Sequence, residues 1–134
     1  MANYNDVRAA LGEAISIYDP ALALNTYSYV PRTITPPAVI LQPSPHRTVD
    51  YTQVEGRGTF ALWRFNIMIV VGQVDEEVAQ EQAGDLITPG SPFIRAIQDI
   101  KLNGYAQVIE GGIAQMMFDQ GLYTYAELSV IVKA

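Results

Sequence analysis

The chain has 134 residues, 49% of them hydrophobic and 16% charged, a globular balance that suits one domain with a substantial core. The formal charge is −6, and the eight Lys and Arg are scattered singly from Arg8 to Lys133, so no basic stripe offers itself for specific nucleic-acid binding. There is no cysteine, which removes disulfides, thiolate chemistry and most structural zinc sites.

Tyr4, Val7, Leu11, Ala14, Ile15 and Tyr18 fall at helical spacing and predict an amphipathic helix over about residues 3–18. Pro20 stops it by disfavouring a helical Asp19. The same segment carries Asp6, Arg8 and Glu13, where a signal peptide would be apolar, and the longest apolar run, Ile67 to Val71, is too short to span a bilayer. The expectation is a protein made in a cytoplasm, with no membrane partner. The Thr-, Tyr- and Pro-rich stretch "NTYSYVPRTITPPAVILQP" reads as an extended loop leading into a strand at Ala38–Gln42.

From Thr59 to Gly72 the side chains alternate. Ala61, Trp63, Phe65, Ile67, Ile69 and Val71 share one apolar face, while Phe60, Leu62, Arg64, Asn66, Met68 and Val70 share a mixed one. "VDEEVAQEQAGDLI" predicts a helix capped by Asp75, with Glu76 and Glu77 in the first turn, where the helix dipole favours anions. "TPGSPFIRAIQDIKLNG" predicts another, with Ser91 as cap, Pro92 at the first helical position, Phe93, Ile97 and Ile100 as the apolar stripe, and Gly104 closing it.

"YAQVIEGGIAQMMF" and "LYTYAELSVIVK" read as two strands joined by the turn "DQG", with a bulge or bend at Gly111-Gly112. In the last strand Ala126, Leu128, Val130 and Val132 face the core, and Tyr123, Tyr125, Glu127, Ser129 and Lys133 point outward. The fold class that follows is α+β: a single domain over residues 1–134, with a mainly antiparallel four-stranded sheet and helices packed on one face. A long inter-strand loop or hairpin occupies about residues 43–58.

That loop is unusual, because structureless connections rarely exceed about a dozen residues in a compact domain unless they work. It holds His46, the chain's single histidine, with no second histidine or any cysteine to complete a site. "EGRG" lacks the third glycine of a dinucleotide fingerprint and precedes a strand rather than a helix, so it reads as a tight turn. Asp75, Glu76 and Glu77 point about 100° apart on a helix and do not converge on one ion. Glu110 and Asp99 are single carboxylates without an evident partner for acid–base work. No catalytic residue, cofactor or metal site follows from these residues, and the chain reads as a non-enzyme.

Tyrosine is more informative. Tyr27, Tyr29 and Tyr51 fall in loops and Tyr123 and Tyr125 on the outward face of the last strand; exposed aromatics among few charges are the composition of protein contact surfaces. A typical soluble domain has about a quarter charged residues, so the lean surface points the same way.

The succession "PPAVILQP", "VDY", "GRGTFALWRFNIMIVVGQVDEEVAQ", "GSPFIRAI" and a final hairpin resembles the tail terminator (neck) proteins of long-tailed bacteriophages, particularly those of actinobacterial phages. The likeness runs from about Pro36 onward, and its most specific part is the GRG-aromatic strand entering a Val-Gly-x-Val-acidic helix. The resemblance implies an α+β subunit of a six-fold homo-oligomeric ring in the virion neck, at the head-proximal end of the tail, assembled in the host cytoplasm. It implies two protein partners, the tail tube protein, whose polymerisation the ring stops, and the head–tail connector or stopper. DNA would pass through the ring without specific binding, in keeping with an acidic chain. A ring needs a heterologous interface, one patch meeting a different patch on the neighbour.

Within that reading, His46 to Gly58 is expected to be an assembly arm that orders on contact, with Arg47, Asp50, Tyr51 and Arg57 supplying its contacts; Arg64, Tyr123 and Tyr125 complete the interface candidates. The competing reading of the arm is a hairpin extension in which "VDYTQV" prolongs the sheet. Two other functions compete with the terminator: a head-completion or stopper protein, and a small ligand-binding α+β domain, which would need a concave pocket with convergent polar groups.

Overall fold

A computed structural model describes residues 3–19, 26–27, 36–50, 61–72, 76–100, 102, 104–118 and 121–134. The order is α1 (Tyr4–Tyr18), β1 (Thr26–Tyr27), β2 (Ala38–Pro43), β3 (Val49–Asp50), β4 (Leu62–Gly72), α2 (Glu76–Ile87), α3 (Pro92–Gln98), β5 (Tyr105–Phe118) and β6 (Gly121–Lys133). The fold is α+β. Its four long strands lie in the order β2-β4-β6-β5 and every neighbouring pair is antiparallel; β1 adds a short parallel pairing outside β2, and β3 pairs with β4.

Helix α1 begins where Asn3 accepts from the Asp6 N–H at 2.9 Å and the Asp6 carboxylate accepts from the Asn3 N–H at 3.0 Å, a reciprocal capping box. Val7, Ala10, Leu11, Ala14 and Ile15 are buried along one face. Tyr4 stacks on Phe65 at 5.7 Å, and Tyr18 meets Phe93 edge-on at 5.1 Å, so the two ends of α1 are fastened to the sheet and to α3.

Ser91 joins α2 to α3: its hydroxyl accepts from the Ile94 N–H at 3.3 Å and donates to the Leu86 carbonyl at 2.8 Å. The predicted cap and the Pro at the first turn of α3 are both present. The Asp75 cap of α2 lies outside the described residues, as do Thr59 and Phe60 ahead of β4.

The main core lies between the helices and one face of the sheet. Val39, Leu41, Phe65, Ile67, Ile69, Ala126, Leu128, Val130 and Val132 meet Val7, Leu11, Ile15, Ala83, Phe93 and Ile97, with Trp63 and Val71 packed at the margin. Each fully buried Val, Leu, Ile or Phe among them contributes about 1.5–3 kcal/mol relative to exposure. The opposite face is not bare: Ala38, Ile40, Met68, Val70 and Tyr123 form a second cluster, flanked by Met116 and Tyr125.

Four expectations are corrected. Tyr27, read as a loop residue, lies in β1 and pairs with Ile40 of β2. Helix α3 ends at Gln98 with Asp99 as C-cap, before Ile100, which is buried outside the helix. Gly104 is therefore not its terminator. A Cβ on Gly104 would lie on the backbone carbonyl oxygen of Lys133 and 2.8 Å from its carbon, so glycine is required by the approach of β6. The bulge in β5 sits between Val108 and Glu110, ahead of the double glycine; Gly111 instead lets α2 and β6 close in, since its Cβ would lie 3.4 Å from Ile87 Cβ and 3.2 Å from Leu128 Cδ2. Tyr123 points away from the helices but is only 3% exposed.

Gly104→Ala is expected to cost on the order of 2–4 kcal/mol, because backbone must move to admit the methyl. Gly112→Ala, whose Cβ meets nothing within 4 Å, should lie within about 0.5 kcal/mol of wild type. Paired denaturant titrations of the two variants check this; equal effects would remove the close-approach explanation.

Candidate assembly surface

The described start of the predicted arm, residues 46–50, is fastened to the sheet by Arg64. The Arg64 N–H donates to the Thr48 carbonyl at 2.7 Å, and the Arg64 carbonyl accepts from the Ser44 N–H at 2.9 Å. Both ends of the excursion Ser44–Thr48 thus close on one β4 residue, and β2 and β3 behave as a single strand interrupted by an enlarged bulge. Its base is tied by the Thr48 hydroxyl, which donates to the Ser44 carbonyl at 3.0 Å, and by a longer 3.4 Å bond from the Arg47 N–H to the same carbonyl. His46 is at the apex with φ +63°, a left-handed conformation in which histidine is enriched among non-glycine residues. Pro45, His46 and Arg47 are exposed, so a short knob stands at this edge.

Beyond the knob, Val49 and Asp50 pair with Trp63 and Leu62, so the segment prolongs the sheet this far, as the hairpin reading expects. The Asp50 carboxylate lies 3.6 Å from the Arg64 guanidinium, with the two side chains 25% and 32% exposed. That separation and exposure place the pair at about 1 kcal/mol or less; the backbone bonds, not the ion pair, hold the knob. His46, Arg47, Asp50 and Arg64 are therefore brought together. Tyr51 and Arg57 lie outside the described residues.

Tyr123 and Tyr125 sit elsewhere, on the sheet face turned from the helices, opposite Met116 and Ala114 of β5. The half-buried Tyr125 phenol is held above its ordinary pKa by burial and, secondarily, by the Glu127 carboxylate, both of which oppose phenolate.

The sequence reading missed the far edge. β5 closes the sheet order, and no strand pairs with its outer edge among the described residues. It is 14 residues long and carries one charged side chain, Glu110. Ile109, Ile113 and Met117 on it are exposed, Met117 to 69%, as are Tyr105 at its start and Leu122 across the turn. The signal was present in the sequence as a long strand free of Lys, Arg and Pro, residues that commonly blunt an edge. Where β5 bulges, Val108–Gly111 line a groove of about 230 Å³ together with Pro89, Gly90, Ile94 and Gln98 of the helix side. A second groove of about 260 Å³ runs between α1 and α3, past the exposed Ile17. No group of three His, Cys, Asp or Glu able to hold a metal occurs among the described residues, and no described helix is long and apolar enough to cross a membrane.

No protein-family model and no curated protein matches the chain.

Two expected outcomes follow from this geometry. Asp50→Asn should change unfolding free energy by less than about 1 kcal/mol, whereas Thr48→Val, which removes the bond closing the knob, should cost about 0.5–1.5 kcal/mol; chemical denaturation compares them. For Tyr125, the native state favours the neutral phenol, so its contribution to stability is present below the unfolded value of 10.0 and lost as pH rises through the raised native value. In a difference titration of phenolate absorbance against Tyr125→Phe, Glu127→Gln should lower the Tyr125 value without returning it to normal, because burial is the larger cause.

Proposed function

We propose that the chain is a structural subunit of a phage neck, a tail terminator whose copies form a ring, six in number, on the head-proximal end of the tail tube. The observation that carries the reading is the β5–β6 hairpin, which exposes Tyr105, Ile109, Ile113, Met117 and Leu122 in one chain whose surface is otherwise lean in charge. Exposed apolar side chains spread along one hairpin in this way are features of protein–protein contact surfaces. The resemblance supports the narrower assignment: "GRGTFALWRFNIMIVVGQVDEEVAQ" spans β4 into α2 and "GSPFIRAI" the turn into α3, with the final hairpin at β5 and β6.

In this role the ring ends tube polymerisation by presenting to the tube a surface that admits no further tube subunit, and it offers its other side to the head connector. The net charge of −6 disfavours retention of DNA passing through the ring. The work is done by interface chemistry alone, with no reacting group, cofactor or metal assigned.

The test is electron microscopy of a lysate from a phage in which this gene is disrupted. Overlong or irregular tails, unattached to filled heads, are expected. Tails of normal length beside DNA-filled or leaking heads would move the protein to the head side of the joint, as a stopper or head-completion protein, and intact infectious virions would overturn the neck reading altogether.

A further inference from the structure

The two edges of the sheet differ, and they match each other. With an even number of long antiparallel strands, β2 and β5 run in opposite directions. A second copy repeated beside the first in the same orientation therefore sets β5 antiparallel to the neighbour's β2–β3 edge and continues the ladder. Two copies related by a two-fold axis would instead pair β5 with β5.

Register sets the irregularities of the two edges at one level. Gln42 pairs with Asn66, Asn66 with Ser129, and Ser129 with Glu110; in the adjacent row Pro43 pairs with Phe65, Phe65 with Val130, and Val130 with Val108. Both edges are thus irregular at the same level, β5 by its bulge at Ile109 and the other edge by the knob that starts at Ser44. The knob presents the exposed cation Arg47; the bulge presents the exposed anion Glu110, on the rim of the 230 Å³ groove. Among the described residues β1 pairs with Val39 and Ile40 of the β2 edge, and no described strand pairs on the outer side of Leu41–Pro43.

We propose that the occupant of the β5 edge is a second copy of this chain, joined head to tail: β5 adds to the neighbour's β2–β3 edge, the neighbour's Ser44–Thr48 knob enters the groove beside the β5 bulge, and its Arg47 pairs with Glu110. This deepens the ring reading and rests on it only for closure. It is a heterologous contact, the class that closes a ring when the rotation allows. The stretch of β5 level with the open edge is Tyr105–Gly111, so the ladder there and the exposed Tyr105 and Ile109 supply affinity by strand addition, and the ion pair supplies register.

The chain has no cysteine, which makes the test direct. Within one chain, positions 47 and 110 lie on opposite sheet edges, three strand spacings of about 4.8 Å apart, beyond the roughly 7 Å Cα separation a disulfide tolerates. The doubly substituted Arg47→Cys/Glu110→Cys protein, oxidised at high concentration, is expected to give a ladder of covalent oligomers. Its cross-linked fraction should be about tenfold above either single variant and above a control cysteine at Ile17, a difference of about 1.4 kcal/mol in effective association. Circular dichroism of each variant confirms that the fold is retained.

Dimers from Glu110→Cys alone, as abundant as the ladder, would overturn head-to-tail pairing in favour of a two-fold β5–β5 contact. Cross-linking of the double variant no greater than the control would overturn self-association through this edge. The outcome is separable from the terminator reading: a ladder with normal tails in the disrupted lysate keeps the edge pairing and removes the terminator, and overlong tails without a ladder do the reverse.

Discussion

Strand β6 is hydrogen-bonded along both of its edges, to β4 from Thr124 to Lys133 and to β5 from Gly121 to Lys133, and the rest of the structure is arranged around that double pairing. Its alternate residues Ala126, Leu128, Val130 and Val132 form the floor on which α2 packs, with α3 set beside it over β5, and none is more than 1% exposed. Its end sets the geometry of the chain's last turns: Ala134 exchanges backbone bonds with Ala61 at 2.9 and 3.1 Å, and the Lys133 carbonyl crowds Gly104. A slip of one residue in β6 would turn its whole apolar set to the opposite face, so this strand fixes which side of the sheet the helices take.

The consequence is a molecule whose two faces are served differently. One face is covered by three helices. The other buries a compact group, Ala38, Ile40, Met68, Val70 and Tyr123, where β2, β4 and β6 run side by side. That explains the mixed face of β4, which carries Met68 and Val70 at its far end and Arg64 and Asn66 nearer the knob: the apolar residues belong to the second cluster and Arg64 to the bulge that it pins.

Where structure follows local period and punctuation, it was legible in the sequence. The alternation in β4 and β6, the spacing in α1 and the Ser91-Pro92 start of α3 each depend on neighbours a few residues away, and each is found as read. The features that escaped are set by residues distant in sequence. Gly104 looks like a helix stop until β6 returns beside it, and Gly111-Gly112 looks like the bulge until Ile87 and Leu128 give Gly111 a packing role. Tyr123 reads as exposed because its burial depends on Met68, Val70, Ala38 and Ile40 arriving on the same face. The knob was hidden for the same reason: Ser44 and Thr48 both bond to Arg64, a contact no local pattern encodes. The candidate surface was thus half legible, with Arg47, Asp50 and Arg64 named from the sequence and the β5 edge not.

The contrast between the two edges bears on what kind of assembly the chain suits. The β2–β3 side is shaped, with a short parallel strand, a proline at the end of β2 and an exposed knob. The β5 side is long, nearly uncharged and marked by a single bulge. The shaped edge is a poor partner for itself, whereas the plain β5 edge can add to any open strand, a second β5 included; in the proposed contact it is the knob, the bulge and their opposite charges that favour directional growth over a two-fold dimer. In the proposed contact, one partly solvated Arg47–Glu110 ion pair would add little affinity; its physical use would be to penalise wrong registers along a backbone ladder that otherwise pairs at several offsets. Strength and specificity would then reside in different parts of one contact, the ladder and apolar side chains giving the first, the knob, groove and charges the second.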